Sequence, residues 1–512
     1  MLPLKYKLLV AALGLIGTGI VLLITSRWGA GLDPDSVAYI AGARSIRNGA
    51  GYVTPYDGVI VYWPPLYPAL LGAVDYVFGI DPLLSAHIVN ALLFGFVVYL
   101  SGQLFFRHLP SSTTTALLGT ISVLVASALV IVWLEALSEL LFICFVLIYV
   151  IYFESYLAKG NITSLVLLSL SVALACLTRY PGVTLVITGV AGILFFRRDS
   201  LKNRIWHLFL FIFVSILPIG VWLIRNYLLT GTLVGWRSPV GMFTLSQDLT
   251  FILNTFVSWY VPGGDHRLIL VLLSATLGFL AGVAIRGNGS KVKVILPGIA
   301  PVLLLVIVYI GFLIIASRAN PMEQSEIDRF LCPVFVPITL LILYFAREIS
   351  ELLAERFSRR LVNILLLATI AAWTVYSARA AVSVVTNYMA QGGWGYNSKS
   401  WRDSETIQYL LQHPTLKDEC AVYTNDMQGA YIRANLVAKV SPVKSGYNAP
   451  PETAIDVSQF RGVWPEEGKA CLVWFDMNDW KHLFTIHELQ TVANIDVVVQ
   501  LEDGAMYSVT RK

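Results

Sequence analysis

The sequence predicts an α-helical polytopic membrane protein with about eleven spans and a soluble C-terminal α/β domain on the extracytoplasmic side. Three observations carry that expectation. Hydrophobic residues make up 56% of the 512-residue chain and charged residues only 13%, and the mean hydropathy of +0.70 exceeds what a soluble chain of this length tolerates. Apolar runs of about 20 residues, long enough for the hydrocarbon core of a bilayer, recur through the first three quarters of the chain. Beyond residue 385 the pattern changes to short β-branched runs between polar stretches.

The apolar runs lie at 8 to 26, 83 to 106, 113 to 132, 137 to 157, 162 to 178, 181 to 196, 205 to 228, 268 to 286, 294 to 316, 330 to 346 and 361 to 384. Those at 162 to 178 and 181 to 196 are short and separated by "TRYPG", which also suits tilted, re-entrant or broken segments. Lys5 and Lys7, the run Arg197, Arg198, Lys202 and Arg204, then Arg286, Lys291 and Lys293, and finally Arg356, Arg359 and Arg360 all fall on one side of an eleven-span chain. Positively charged short loops stay in the cytoplasm, so the N-terminus is expected there. The first run shows no clear small-residue cleavage site and reads as a retained helix. The expected organisation is a membrane domain at 1 to 384, with a long external loop at 27 to 82, followed by an external domain at 385 to 512. Further external loops are expected at 229 to 267 and 317 to 329.

In the external domain "CAVYTND", "ACLVWF" and "IDVVVQL" read as buried strands and "WRDSETIQYLLQ" as a helix. Of the five cysteines, Cys144, Cys176 and Cys332 fall in apolar runs, where the thiol acts as a small hydrophobe. Cys420 and Cys471 each precede a strand in an oxidising compartment. A disulfide between them and two unpaired buried thiols both fit.

The stretch "LDPDSVAYIAGARSIRNGAGY" follows the first span. Asp33 before Pro34 suits a helix start, since the carboxylate accepts from free backbone amides and proline there forfeits no needed donor. Asp35 then lies in the first turn, at the positive end of the helix dipole, with Tyr39 one turn further on the same face. The helix is expected to stop at Gly49, with a few apolar positions suited to lying along the membrane surface. Capping and solvation explain both aspartates; a catalytic base or a metal ligand is the alternative. "DPD" could also offer oxygen ligands to a divalent cation. In "YWPPLYPALLGAV" the prolines stiffen the chain and place Trp63 and Tyr67 at the interface.

The order "DSVAYIAGAR", "WPPLYP", "LTRYPG", "RNYLLTG" and "DRFLCPVFVP", covering roughly residues 8 to 350, resembles the polyprenyl-phosphate-sugar-dependent GT-C glycosyltransferases. That branch includes protein O-mannosyltransferases and aminoarabinose transferases. The resemblance implies a GT-C-like membrane fold, a polyprenyl-phosphate sugar donor, a lipid, glycan or protein acceptor, and a carboxylate in the first external loop acting as base. Carried over, the base is Asp35, with Tyr39 beside it and Asp33 as runner-up. It also places an acidic residue near Glu139, with Glu135 as neighbour or substitute.

Inverting sugar transfer needs a base opposite the departing phosphate, and arginine suits the phosphate because it stays charged and donates through two groups. Arg179, Arg225 and Arg329 are the candidates, against snorkelling and positioning roles for each. One departure stands out: the aminoarabinose transferases carry an acidic residue and a lysine before the paired prolines, where this chain has Tyr62 and Trp63. Trp63 there fits interface anchoring or stacking on a sugar face.

The chain has no Walker loop or dinucleotide fingerprint, and "HELQ" at His487 lacks a second histidine at zinc spacing. A net charge of +4 is accounted for by cytoplasmic anchoring residues and gives no reason to invoke nucleic acid. The expected location is a bacterial inner membrane, in contact with its lipids, with the endoplasmic reticulum as the alternative. Rival readings are a multispan transporter or lipid flippase and a noncatalytic assembly subunit.

Overall fold

The computed structural model describes residues 3–235, 244–260, 289–319, 324–446, 454–478 and 480–512. Its membrane part runs α1 (Leu4–Thr25), α2 (Pro34–Arg47), the hairpin β1 (Val53–Thr54) and β2 (Gly58–Val59), α3 (Leu66–Phe78), α4 (Pro82–His108), α5 (Thr113–Leu124) and α6 (Val130–Leu134). There follow α7 (Glu139–Lys159), α8 (Ile162–Thr178), α9 (Val183–Phe195), α10 (Leu201–Thr230), α11 (Leu245–Tyr260), α12 (Gly289–Ala319), α13 (Gln324–Leu353) and α14 (Arg359–Ala390).

Among the described residues, seven helices are long and apolar enough to cross a membrane, and an eighth span forms if the two parts of the run Thr113–Leu124 and Ser127–Leu134 count as one. The other runs of the expected eleven take different forms or lie outside the described residues. The expected span 113 to 132 is two helices bent by 42°. Those at 162 to 178 and 181 to 196 are the shorter apolar helices α8 and α9, and 268 to 286 lies outside the described residues. Non-helical backbone at membrane depth survives only where protein satisfies it. At the bend, the Ser127 amide donates to Ser377 Oγ at 3.1 Å, and Ser122 and Thr374 hydroxyls lie 2.6 Å apart.

Two small residues let α1 and α4 touch backbone to backbone. A Cβ on Gly95 would lie 2.5 Å from the Gly14 carbonyl oxygen, and one on Gly14 would lie 2.7 Å from that of Gly95. In a bilayer, where lipid tails are as apolar as leucine, such close approach is a principal source of helix association.

Helix α2 starts and stops where its residues dictate: Asp33 caps it, Pro34 opens it, and Gly49 follows its end at φ 73°. Its residues from Ser36 to Ala43 are buried, because α3 lies on one side and the C-terminal domain covers another.

That domain contains α15 (Glu405–Gln412), α16 (Met427–Ala434) and strands β3 (Ala421–Thr424), β4 (Lys439–Val440), β5 (Lys469–Phe475), β6 (Ala493–Leu501) and β7 (Gly504–Arg511). The sheet order is β4-β3-β5-β7-β6, parallel across β4-β3-β5 and antiparallel across β5-β7-β6. Three of the expected strands are present, but β6 is an edge strand rather than a buried one, with Val497 59% and Val498 53% exposed. Cys420 and Cys471 form a disulfide across the start of β3 and β5.

The two parts share backbone. Segment Ala30–Leu32 is flanked by the end of α6 and by the chain leaving α14: Gly31 donates to Leu134 O at 2.8 Å and Leu32 to Trp394 O at 3.1 Å, while the amides of Ala136 and Tyr396 donate back to Gly31 and Leu32. Only glycine fits beside Leu32 at position 395, where φ is +57° and a Cβ would lie 1.9 Å from the Leu32 carbonyl.

Gly95→Leu should force α1 from α4 and lower the thermal unfolding temperature of the detergent-solubilised protein, an overpacking cost of about 1–3 kcal/mol. Gly19→Leu, where a Cβ meets nothing within 4 Å, should leave it unchanged; equal behaviour of the two variants would refute the close contact.

Candidate active site

The site forms where three elements end at the same level. Asp33 and Asp35 open α2, Glu139 opens α7, and Arg329 sits in the second turn of α13. Pro333, four residues after Arg329, cannot donate to the Arg329 carbonyl. One guanidinium joins all three carboxylates: Arg329 donates to Asp33 Oδ2 at 2.8 Å, and also to Asp35 Oδ2 and Glu139 Oε1. Arg179, at the break between α8 and α9, pairs with the same Glu139 oxygen at 2.6 Å. Phe330 lies 5.4 and 5.5 Å from the two guanidinium carbons. Glu139 is fully buried and its Oε2 is without a partner. Breaking such a buried network by removing one partner costs about 3–5 kcal/mol.

The two aspartates differ in what engages them. Asp33 is saturated, its Oδ1 accepting from the Ser36 amide and hydroxyl, both at 2.7 Å, and its Oδ2 from Arg329. Asp35 accepts from Arg329 through Oδ2, and among the described residues no hydrogen bond engages its Oδ1. Both remain partly open, with side chains 23% and 25% exposed. Tyr39 is buried, and its hydroxyl meets Ser138 Oγ at 3.1 Å; Arg179 donates to the same oxygen at 3.2 Å. Trp63 and Tyr67 pack edgewise on the Tyr39 ring at 5.9 and 5.4 Å. Thus Asp33, Asp35, Tyr39, Trp63, Tyr67, Glu139, Arg179 and Arg329 converge.

Arg225 stands apart from the carboxylates. It donates to the carbonyls of Ile60 and Tyr52 at 2.9 and 3.2 Å and lies 4.6 Å from the Trp222 ring. Among the described residues no carboxylate pairs with it. Between Arg225 and the cluster lies Tyr52, whose buried hydroxyl has no partner and feels the charges of both Arg225 and Asp35. No motif pointed to Tyr52 or Ser138; only their positions beside "GAGY" and "SELLF" could have.

Glu135 proves more than a neighbour. Burial, then the charge of Asp33, pushes its carboxyl up to about 8. Asp33 itself is raised to about 6 by burial and by Asp35, against the opposing pull of Arg329. Asp33 and Asp35, whose spacing could offer oxygen ligands to a divalent cation, both accept from Arg329. Among the described residues no group of three or more histidine, cysteine or acidic side chains is placed to hold a metal.

Buried carboxylates gathered by arginines at the mouth of a helical membrane domain define a class of polytopic enzyme-like sites, and the comparisons agree with it. The family described as dolichyl-phosphate-mannose-protein mannosyltransferase matches residues 63–222. The fold is similar to that of ArnT from Cupriavidus metallidurans, in the apo state and bound to undecaprenyl phosphate. Identity is 12% and 13%, the TM-score is 0.60 for both, and 98% of each chain is covered. Archaeal oligosaccharyltransferase AglB from Archaeoglobus fulgidus, in complex with an inhibitory peptide and a dolichol-phosphate, is similar at 10% identity and TM-score 0.51, over 92% of this chain and 70% of that one. No curated protein matches. The fold is the one these membrane glycosyltransferases have, and the resemblance read from the motifs holds.

A pH dependence follows from Glu135. Its carboxyl is raised from 4.5 to about 8, so its contribution to stability is fully present below 4.5 and is lost as pH rises through about 8. The unfolding temperature of the protein should therefore fall between pH 6 and 8.5, and Glu135→Gln should remove the part of that fall above pH 7. Parallel curves for the two proteins would refute the burial of an ionisable Glu135.

Proposed function

We propose that the chain is an integral-membrane glycosyltransferase that takes a sugar from a polyprenyl-phosphate carrier and passes it, with inversion, to an acceptor at the membrane face bearing the soluble domain. That face is extracytoplasmic on this reading, with the N-terminus in the cytoplasm. The observation that carries it is the asymmetry of the aspartates: Asp33 is saturated by its cap and its ion pair, while the partly exposed Asp35 is held among the described residues through Oδ2 alone. The fold likeness supports it, since ArnT is known bound to undecaprenyl phosphate and AglB in complex with a dolichol-phosphate.

In the reaction, Asp35 Oδ1 takes the proton of the acceptor nucleophile as that atom bonds to the anomeric carbon. The bond from that carbon to the phosphate oxygen breaks, and its electron pair leaves with the lipid phosphate. Arg329 holds Asp35 in place. Arg179 and Arg329 already face carboxylates, whereas Arg225 brings a charge that no carboxylate balances, so it is the group for the departing phosphate. Tyr52 offers that phosphate or the sugar a hydroxyl. Trp63, Tyr67 and Tyr39 supply the apolar wall.

Transfer from a panel of labelled polyprenyl-phosphate sugars, with purified protein in liposomes, tests the reading. Asp35→Asn should lose about 10²–10⁴-fold in rate while still binding donor. Asp33→Asn should keep a larger share of activity, since asparagine caps a helix as well as aspartate does, and any loss of stability should come from the weakened pair with Arg329. Full activity in Asp35→Asn would remove it as base, and no transfer by the native protein with any donor would favour an assembly role.

Arg225→Gln should raise the KM for the lipid donor far more than it changes the affinity for the acceptor. An unchanged donor KM would return Arg225 to a purely structural part, holding the first external loop.

A further inference from the structure

A second charged cluster lies at the opposite side of the first external loop, where α1 leaves the membrane and α14 hands the chain to the soluble domain. The Arg27 and Arg402 guanidinium carbons lie 4.4 and 4.3 Å from the Trp28 ring. Arg402 reaches the carbonyls of Asn397 and Gly392, and Arg433 donates to Asn397 Oδ1 at 3.4 Å, while Asn397 Nδ2 holds the Trp28 and Ala30 carbonyls. Three guanidiniums thus gather about Trp28 and one turn of backbone.

One carboxylate lies close to them. Among the described residues no carboxylate forms an ion pair with Arg27, Arg402 or Arg433; Asp403 pairs with Lys399 at 4.0 Å, with both side chains mostly exposed, and acts on Arg402 through its charge alone. Burial and then the neighbouring guanidinium push Arg433 down, and Arg27 opposes the charge of Arg402. Two buried donors there are also without acceptors: Trp28 Nε1 and Arg433 Nε. Three guanidiniums against one exposed carboxylate leave an excess of donors and positive charge, complementary to an oxyanion with several acceptor atoms.

Its position narrows the source of that oxyanion. The residues follow directly on the last turns of α1 and α14, where Leu23 is 77% and Met389 41% exposed, so lipid-facing apolar side chains lie just below the guanidiniums. Trp28 between them is an interfacial residue by type. Basic residues on this face also run against the usual distribution of charge about a membrane. We propose that Arg27, Trp28, Arg402 and Arg433 form a headgroup site for an anionic phospholipid of the leaflet on the soluble-domain side, its phosphate among the guanidiniums and its acyl chains along Leu23 and Met389. The site is separate from the carboxylate cluster and does not depend on the glycosyltransferase reading.

The test is lipid retention by the full-length detergent-solubilised protein in native mass spectrometry, titrated with phosphatidylglycerol against phosphatidylcholine. The native protein should prefer phosphatidylglycerol. Arg27→Gln, an exposed change, should lower that preference, and Arg27→Gln with Arg433→Gln should lower it further, about fivefold for each guanidinium removed. Arg402→Lys should keep the charge and most of the preference, and Arg198→Gln, on the other membrane face, all of it. Unfolding temperatures of the variants identify any that fail through misfolding, in which case Arg27→Gln alone decides. Equal retention of the two lipids by the native protein, an unchanged preference in folded Arg27→Gln, or binding of soluble glycerol 1-phosphate as tight as that of the lipid would overturn the proposal.

Discussion

One guanidinium organises this molecule. Arg329 bonds the first-turn carboxylates of α2, the first residue of α7 and, through Glu139, the arginine that separates α8 from α9. Each partner comes from a different part of the chain, and each would be costly to bury alone. The position of α2 over the membrane domain, the start of α7 and the break at Arg179 are therefore settled together. Because three carboxylates face two arginines, the cluster retains negative charge, and its aspartates stay partly open while Glu139 is sealed.

Packing reinforces the same arrangement from outside. Tyr39 is clamped by Tyr67 and Trp63 on its faces and by Ser138 at its hydroxyl, so the helix that carries Asp35 cannot rotate without opening that aromatic wall. Below it, Tyr67 bonds Asn90, which in turn bonds the Glu135 carbonyl. A chain of contacts thus joins the first loop, α4 and the end of α6. Arg225 plays a different part: by gripping the carbonyls of Tyr52 and Ile60, it fixes the far side of the loop, and no carboxylate among the described residues pairs with it.

Much of this was legible in one dimension, for physical reasons that differ by element. Membrane spans are legible because lipid leaves every backbone group to be satisfied within the helix, so length and apolarity survive in the sequence. The bend after α5 is not, since the hydroxyls that satisfy it, Thr374 and Ser377, come from α14 about 250 residues later. The cap of Asp33 is local and was read from "DPDS"; the partner that unites Asp33 with Asp35 and Glu139 is remote and was reached only as one of three candidate arginines. The burial of α2 from Ser36 to Ala43 was not legible, because part of its cover is built by residues near the other end of the chain. Tyr52 left no trace, as an isolated tyrosine after a glycine pair looks like any loop residue.

The three-residue segment Ala30–Leu32, hydrogen-bonded on one side to the end of α6 and on the other to the start of the soluble domain, has a mechanical meaning. It ends one residue before the cap of α2. A tilt of the soluble domain, whatever causes it, pulls on Leu32 through Tyr396 and Trp394 and is transmitted to Asp33 without a flexible joint between. The soluble part is thus a lever rigidly geared to the carboxylates, and not a detachable module: a chimera that exchanged it while leaving residues 28 to 32 behind would cut the gearing in its middle.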